Sequence, residues 1–120
     1  MRNVAMTVFL LSASLVAADM SGKWSGSVVS SREQPQSIYV ILKLDGNQLT
    51  GSAGPSASEQ RPMQKGKVQG DRLTFEVPAG KGTFVFDLKM EEDQISGDLE
   101  FRAPEETRKA RVSLKRVQSE

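Results

Sequence analysis

The chain has 120 residues and contains no cysteine and no histidine. Without cysteine there is no disulfide framework, no thiolate nucleophile and no thiolate-bound zinc. Without histidine there is no Ser-His-Asp triad and no imidazole ligand for a metal. Acid–base chemistry is left to carboxylates, lysines and one tyrosine, Tyr39; tryptophan is also single, Trp24. Neither sign of charge is in excess. Sixteen Lys and Arg stand against fifteen Asp and Glu, a net charge of +1. The basic footprint of a nucleic-acid or anionic-membrane binder is therefore missing. Alanine is scarce outside the N-terminus, while there are 10 Gly and 5 Pro, the composition of a turn-rich β protein. At this length a single domain is expected.

The N-terminus reads as a targeting segment. Met1-Arg2-Asn3 is a short cationic start, Val4 to Ala17 carries no charge, and Val16-Ala17-Ala18 supplies small residues before Asp19. This is the layout of a secretory signal peptide cut after Ala18, with a single domain over 19–120 and an exported product, periplasmic or secreted. The apolar run is too short to span a bilayer, which takes about 20 residues. No cysteine follows it to take a lipid, so no membrane anchor is expected after cleavage. Removal of the leader takes Arg2 with it and leaves fifteen basic residues against fifteen acidic ones. A domain without covalent cross-links then relies on packing alone.

From Gly22 onward apolar residues recur with period two, the mark of half-buried strands. Eight strands are predicted. Their inward faces carry Trp24, Gly26, Val28 and Ser30; then Ile38, Val40, Leu42 and Leu44; Leu49, Gly51 and Ala53; Gln64, Gly66 and Val68; Leu73, Phe75 and Val77; Phe84, Phe86, Leu88 and Met90; Ile95, Gly97, Leu99 and Phe101; and Ala110, Val112 and Leu114. No 3.6-residue stripe predicts a long helix. Connections of two kinds alternate. Asp45-Gly46-Asn47, Gln69-Gly70-Asp71 and Glu91-Glu92-Asp93 read as tight hairpins. The other four, longer in expectation, hold Pro35, then Pro55 and Pro62, Pro78 and Pro104. In an up-and-down meander these two kinds lie at opposite ends. An even number of strands, each with one apolar face, closes most economically into an eight-stranded antiparallel barrel, which removes both edges. Residues 42–51 also repeat as residues 88–97, with four of ten positions identical at an offset of 46. Shared hairpin chemistry and duplication of a four-strand half both account for this.

Gly22-Lys23-Trp24 opens the first strand, and Arg116 has the inward parity of Val112 and Leu114 at the end of the last. The two ends meet at the tight-turn end, where a guanidinium can lie over an indole. This arrangement resembles the calycin superfamily of lipocalins and avidins, in which a G-x-W strand and a basic residue on the last strand close the barrel floor. The hairpin from Asp45 to Gly51 is similar to the first hairpin of avidin-type proteins. The resemblance implies the fold, with Trp24 and Arg116 as structural closure. It does not carry the biotin site. Gly26 and Ala53 stand where avidins carry a ligand-contacting Asn and Tyr, Ser30 alone matches a contacting Ser, and one Trp replaces several. The later lipocalin motifs and C-terminal helix are absent too.

No constellation supports catalysis. Ser113 and Lys115 face outward, Glu91-Glu92-Asp93 sits on a hairpin tip, Gly80-Lys81-Gly82 lacks the helix a phosphate loop needs, and Met20, Met63 and Met90 are scattered. The expectation is a non-catalytic protein with no cofactor and no metal. The interior offers two readings. Large Phe75, Phe84, Phe86 and Phe101 on one wall face small Gly26, Gly51, Ala53 and Gly66 on the other, which packs a dry core. Alternatively, a shallow apolar cup at the proline-loop end takes a small apolar ligand, with Ser30, Ile38, Ala53, Gln64, Val77, Phe84, Phe101 and Ala110 at its mouth. A third possibility lies outside the barrel. Val29, Tyr39 and Ile41 point outward on the first two strands and offer a face for a weak homodimer or a protein partner, as do the loops, in the manner of a small exported inhibitor.

Overall fold

The computed structural model describes residues 20–31 and 34–117. The signal-peptide reading of residues 1–18 lies outside the described residues. The described chain forms nine strand segments: β1 (Gly22–Val29), β2 (Gln36–Asp45), β3 (Gln48–Ser56), β4 (Glu59–Pro62), β5 (Gln64–Gln69), β6 (Arg72–Ala79), β7 (Gly82–Glu91), β8 (Gln94–Arg102) and β9 (Thr107–Arg116). All pairings are antiparallel between neighbours, β1 pairs with both β2 and β9, and the sheet closes on itself. β4 and β5 together fill one place in the ring, so the closed barrel has eight staves. This all-β, up-and-down architecture is compatible with a calycin-like fold.

The inward positions follow the period-two pattern. Trp24, Val40, Leu42, Leu49, Leu73, Phe75, Phe86, Leu88, Ile95, Val112 and Leu114 are all buried in one core. The rings of Phe75 and Phe86 stack with centroids 4.5 Å apart. No polar or charged residue is buried among the described residues, so the core's side chains are held chiefly by apolar burial and close contact. Strand glycines let neighbouring strands approach closely. A Cβ on Gly26 would lie 1.7 Å from the Ser113 carbonyl oxygen, and one on Gly51 would lie 1.9 Å from that of Ile41.

The fourth stave departs from the expected continuous strand. It breaks at Met63, whose N–H donates to the Gly51 carbonyl (3.0 Å). Lys65 takes a left-handed φ of 56°, and the register against β6 shifts between Gln64 and Lys67. A bulge of this kind changes the facing of the residues before it. Gln64, expected inside, is exposed, and Met63 packs on the core instead.

The proline end also differs from expectation. Among the described residues, Ala103–Glu106 lies outside the strands as a longer loop, as do Ser30, Ser31, Gln34 and Pro35. The second connection is the two-residue turn Ala57-Ser58 between β3 and β4, and the third is Gly80-Lys81. Pro55, Pro62 and Pro78 lie inside strands. Proline is tolerated where no ladder bond is lost. β5 pairs with β6 only as far as Glu76, and β4 does not pair with β6 at all, so Pro62 and Pro78 flank a seam without ladder bonds. Gln60 ties the β3–β4 hairpin down. Its amide donates to the Tyr39 and Ser56 carbonyls (3.0 and 2.9 Å) and accepts from the Ser52 hydroxyl (2.6 Å).

The repeat noted above is carried through the fold. An offset of 46 places β2 on β7 and β3 on β8, end for end. Gly51 and Gly97, equivalent positions, both take positive φ (142° and 159°), and both press against the preceding strand's backbone.

Candidate functional site

The two ends of the barrel are built differently. At the tight-turn end the N-terminal corner folds across the floor. Met20 is fully buried, and its carbonyl accepts a hydrogen bond from the Trp24 indole N–H (3.1 Å). The Arg116 guanidinium lies 4.3 Å from the Trp24 ring centroid, and its Nη1 donates to the Ser21 carbonyl (3.1 Å). The Leu44 N–H donates to the Ser21 hydroxyl (2.9 Å). Indole, guanidinium and Met20 thus plug this end.

The opposite end holds a cavity of about 750 Å³. Val28, Phe84, Leu99, Phe101 and Ala110 form its apolar floor and walls. The Phe84 and Phe101 rings meet with centroids 4.7 Å apart, tilted by 47°. Ser30, Ser31, Gln34 and Gln36 line one side of the rim; Glu106, Thr107, Arg108 and Lys109 line the other. Arg108 stands opposite Phe101 in the β8–β9 register, and its Nε donates to the Glu106 carboxylate (3.1 Å). The site therefore pairs aromatic and aliphatic surface with a rim of amide, hydroxyl and guanidinium groups.

Of the residues named from sequence, Ser30, Phe84, Phe101 and Ala110 line this cavity. Ile38, Ala53 and Val77 are instead buried in the core, 7%, 4% and 3% exposed, and Gln64 is on the outside. Gln36 and Arg108 were not anticipated as lining residues. Each is one step of two along its strand from an inward residue, Ile38 or Ala110, so parity alone points to them. On the outer wall Val29 is 44% exposed, while Tyr39 and Ile41 are half-buried. Tyr39 is level with Ser25 of β1, four residues from Val29. At the strand rise that is about 13 Å, so the three residues do not form one compact patch.

The cavity opens where two strands part. β1 and β9 pair from Trp24↔Arg116 to Val29↔Arg111 and no further, although β9 extends to Thr107. The Val117 N–H donates to the Lys23 carbonyl on β1 (2.8 Å), and the Arg116 N–H donates to the Asp93 carbonyl on the β8 side (3.3 Å). Main-chain groups alternate sides along a strand. Odd-numbered residues of β9 therefore face β1, as the Ser113 carbonyl beside Gly26 does. Thr107 and Lys109 direct their N–H and C=O groups to the same side, past the end of β1, and no described residue pairs with them there. Comparison of this chain with protein-family models, with curated proteins and with solved structures found no match.

Proposed function

We propose that this chain is an exported, non-catalytic binding protein of lipocalin or avidin type that takes a small apolar ligand in the cavity at the barrel's open end. The observation that carries this reading is the cavity itself. A space of about 750 Å³ with Phe84, Phe101, Leu99 and Val28 on its walls falls within the range of small-molecule sites, about 300–1,000 Å³. The G-x-W opening, with Arg116 against Trp24, supports the family part of the reading. The cationic, then apolar, then small-residue order of residues 1–18 supports export. Binding is expected to be weak, micromolar to millimolar, because the mouth is wide and leaves much of a ligand wet.

An environment-sensitive apolar dye titrated into the folded protein tests the reading. Saturable enhancement is expected. Phe84→Ala and Phe101→Ala should each change it, since both rings line the cavity. Val85→Ala, on the outer face between Glu76 and Glu100, should not. Absence of saturable binding across a panel of apolar probes, or equal effects from all three substitutions, would remove the ligand from the proposal.

A further inference from the structure

We propose that the outer wall formed by β9, β1, β2 and β3 is a docking face for an anionic polysaccharide. This goes beyond the small-ligand reading and does not depend on it, because it uses the outer face of the sheet. The starting observation is a division of charge around the ring. β1 (GKWSGSVV), β3 (QLTGSAGPS) and β9 (TRKARVSLKR) contain no acidic residue, and β2 (QSIYVILKLD) has only Asp45, its last. On the other side, β6, β7 and β8 hold Glu76, Asp87, Glu91, Asp98 and Glu100. A net charge of +1 hides this division, and closure of the sheet, which sets β9 beside β1, creates it.

Three lysines on this wall, Lys115, Lys23 and Lys43, are exposed. None of them joins an ion pair among the described residues, whereas Arg111 and Arg116 of β9 already hold Asp98 and Asp93. Register places the three on one diagonal. Lys115 stands opposite Ser25, two residues from Lys23, and Lys23 stands opposite Ile41, two residues from Lys43. Both steps run toward the tight-turn end, with about 7–8 Å between neighbouring backbones. Like charges this near repel one another, and a chain of fixed anions laid along them relieves the repulsion. The surroundings select the class of chain. Beside the lysines lie the hydroxyls of Ser25, Ser27 and Ser113, able to exchange hydrogen bonds with sugar hydroxyls. A bilayer surface calls for large exposed apolar side chains, and single-stranded nucleic acid for exposed aromatic platforms. Here Tyr39 and Ile41 are half-buried, and exposed Val29 stands at the far end of β1.

The test uses the purified chain and fluorescein-labelled heparin, a polysaccharide bearing sulfate and uronate groups, read by anisotropy at low salt. Saturable binding is expected, and it should be lost by about 0.5 M salt as exposed charges are screened. Lys23→Gln, Lys43→Gln and Lys115→Gln should each weaken binding about threefold, and the triple variant about twentyfold. Lys81→Gln removes the same charge from the exposed turn between β6 and β7 and should leave binding unchanged. Circular dichroism checks the fold of each variant. Uncharged dextran should not compete, and single-stranded DNA and phosphatidylglycerol vesicles should bind more weakly than heparin. Absence of binding at low salt, a triple variant that binds like wild type, a Lys81→Gln effect equal to that of Lys23→Gln, or tighter binding of the DNA or the vesicles would overturn the proposal.

Discussion

Removing the Trp24 side chain tests the barrel floor most directly. The residue is fully buried, and three interactions converge on it: packing in the core, the Arg116 guanidinium 4.3 Å from the ring, and the indole N–H on the Met20 carbonyl. Loss of a large buried aromatic costs about 3–5 kcal/mol. Loss of a desolvated cation–π contact adds about 0.5–2 kcal/mol, partly overlapping the first figure. Trp24→Ala should therefore destabilise by at least about 4 kcal/mol, in a domain whose total is about 5–15 kcal/mol. For a domain of about 100 residues, a loss of this size lowers Tm by about 20 °C. Urea denaturation is best followed by far-ultraviolet circular dichroism, because the substitution removes the chain's single tryptophan. Arg116→Met keeps most of the aliphatic stem and removes the guanidinium. Combined with Trp24→Ala in a double-mutant cycle, it should show a coupling of about 1 kcal/mol. A Trp24→Ala stability within about 0.5 kcal/mol of wild type, or no coupling, would refute the account of the floor.

Two further outcomes are expected. Glu92 holds a left-handed φ of 57° at the position equivalent to Gly46 (φ 68°) in the sister hairpin, so Glu92→Gly should raise stability by about 1 kcal/mol in the same assay, and a loss of stability would count against strain there. The Arg72 guanidinium donates to both Asp87 oxygens (2.8 and 2.6 Å) and holds the Asp87 carboxyl below its ordinary range. Its folded value lies below its unfolded one, so the pair contributes above about pH 4 and is lost as pH falls through the lowered value. Both groups are substantially exposed, so the effect is small and salt-sensitive; Asp87→Asn should flatten the acid limb of the stability–pH curve at low ionic strength, and an unchanged limb would exclude the pair as a contributor.

Strand number, closure and nearly every inward residue were legible because period-two alternation is a direct consequence of the pleat, and because each strand here has one wet face. Reading failed where backbone departs from that alternation. The bulge at Lys65 moved Gln64 outside and Met63 in, and no pattern in the residues announces a left-handed lysine. Pro55, Pro62 and Pro78 resembled loop residues because proline normally breaks a ladder. Their tolerance depends on where β4, β5 and β6 stop pairing, which is a matter of register. The candidate site was half visible for the same reason. Phe84, Phe101, Ser30 and Ala110 share inward parity with Ile38, Ala53 and Val77, yet only the first set borders open space. Which of them do so is decided by where β1 leaves β9.

The 46-residue repeat lets the two halves of the barrel be compared position by position. If the barrel is two copies of one half, each seam between halves has a twin: β1 against β9 on one side, β6 against β5 and β4 on the other. Both twins part toward the same end, after Val29↔Arg111 and after Gln64↔Glu76. Positions 46 residues apart differ at these two seams. Where one copy has Phe84, Leu99, Phe101 and Arg108, the other has Ile38, Ala53, Pro55 and Pro62. One seam carries prolines, whose rings cannot donate a hydrogen bond, and the other carries aromatic side chains and basic groups.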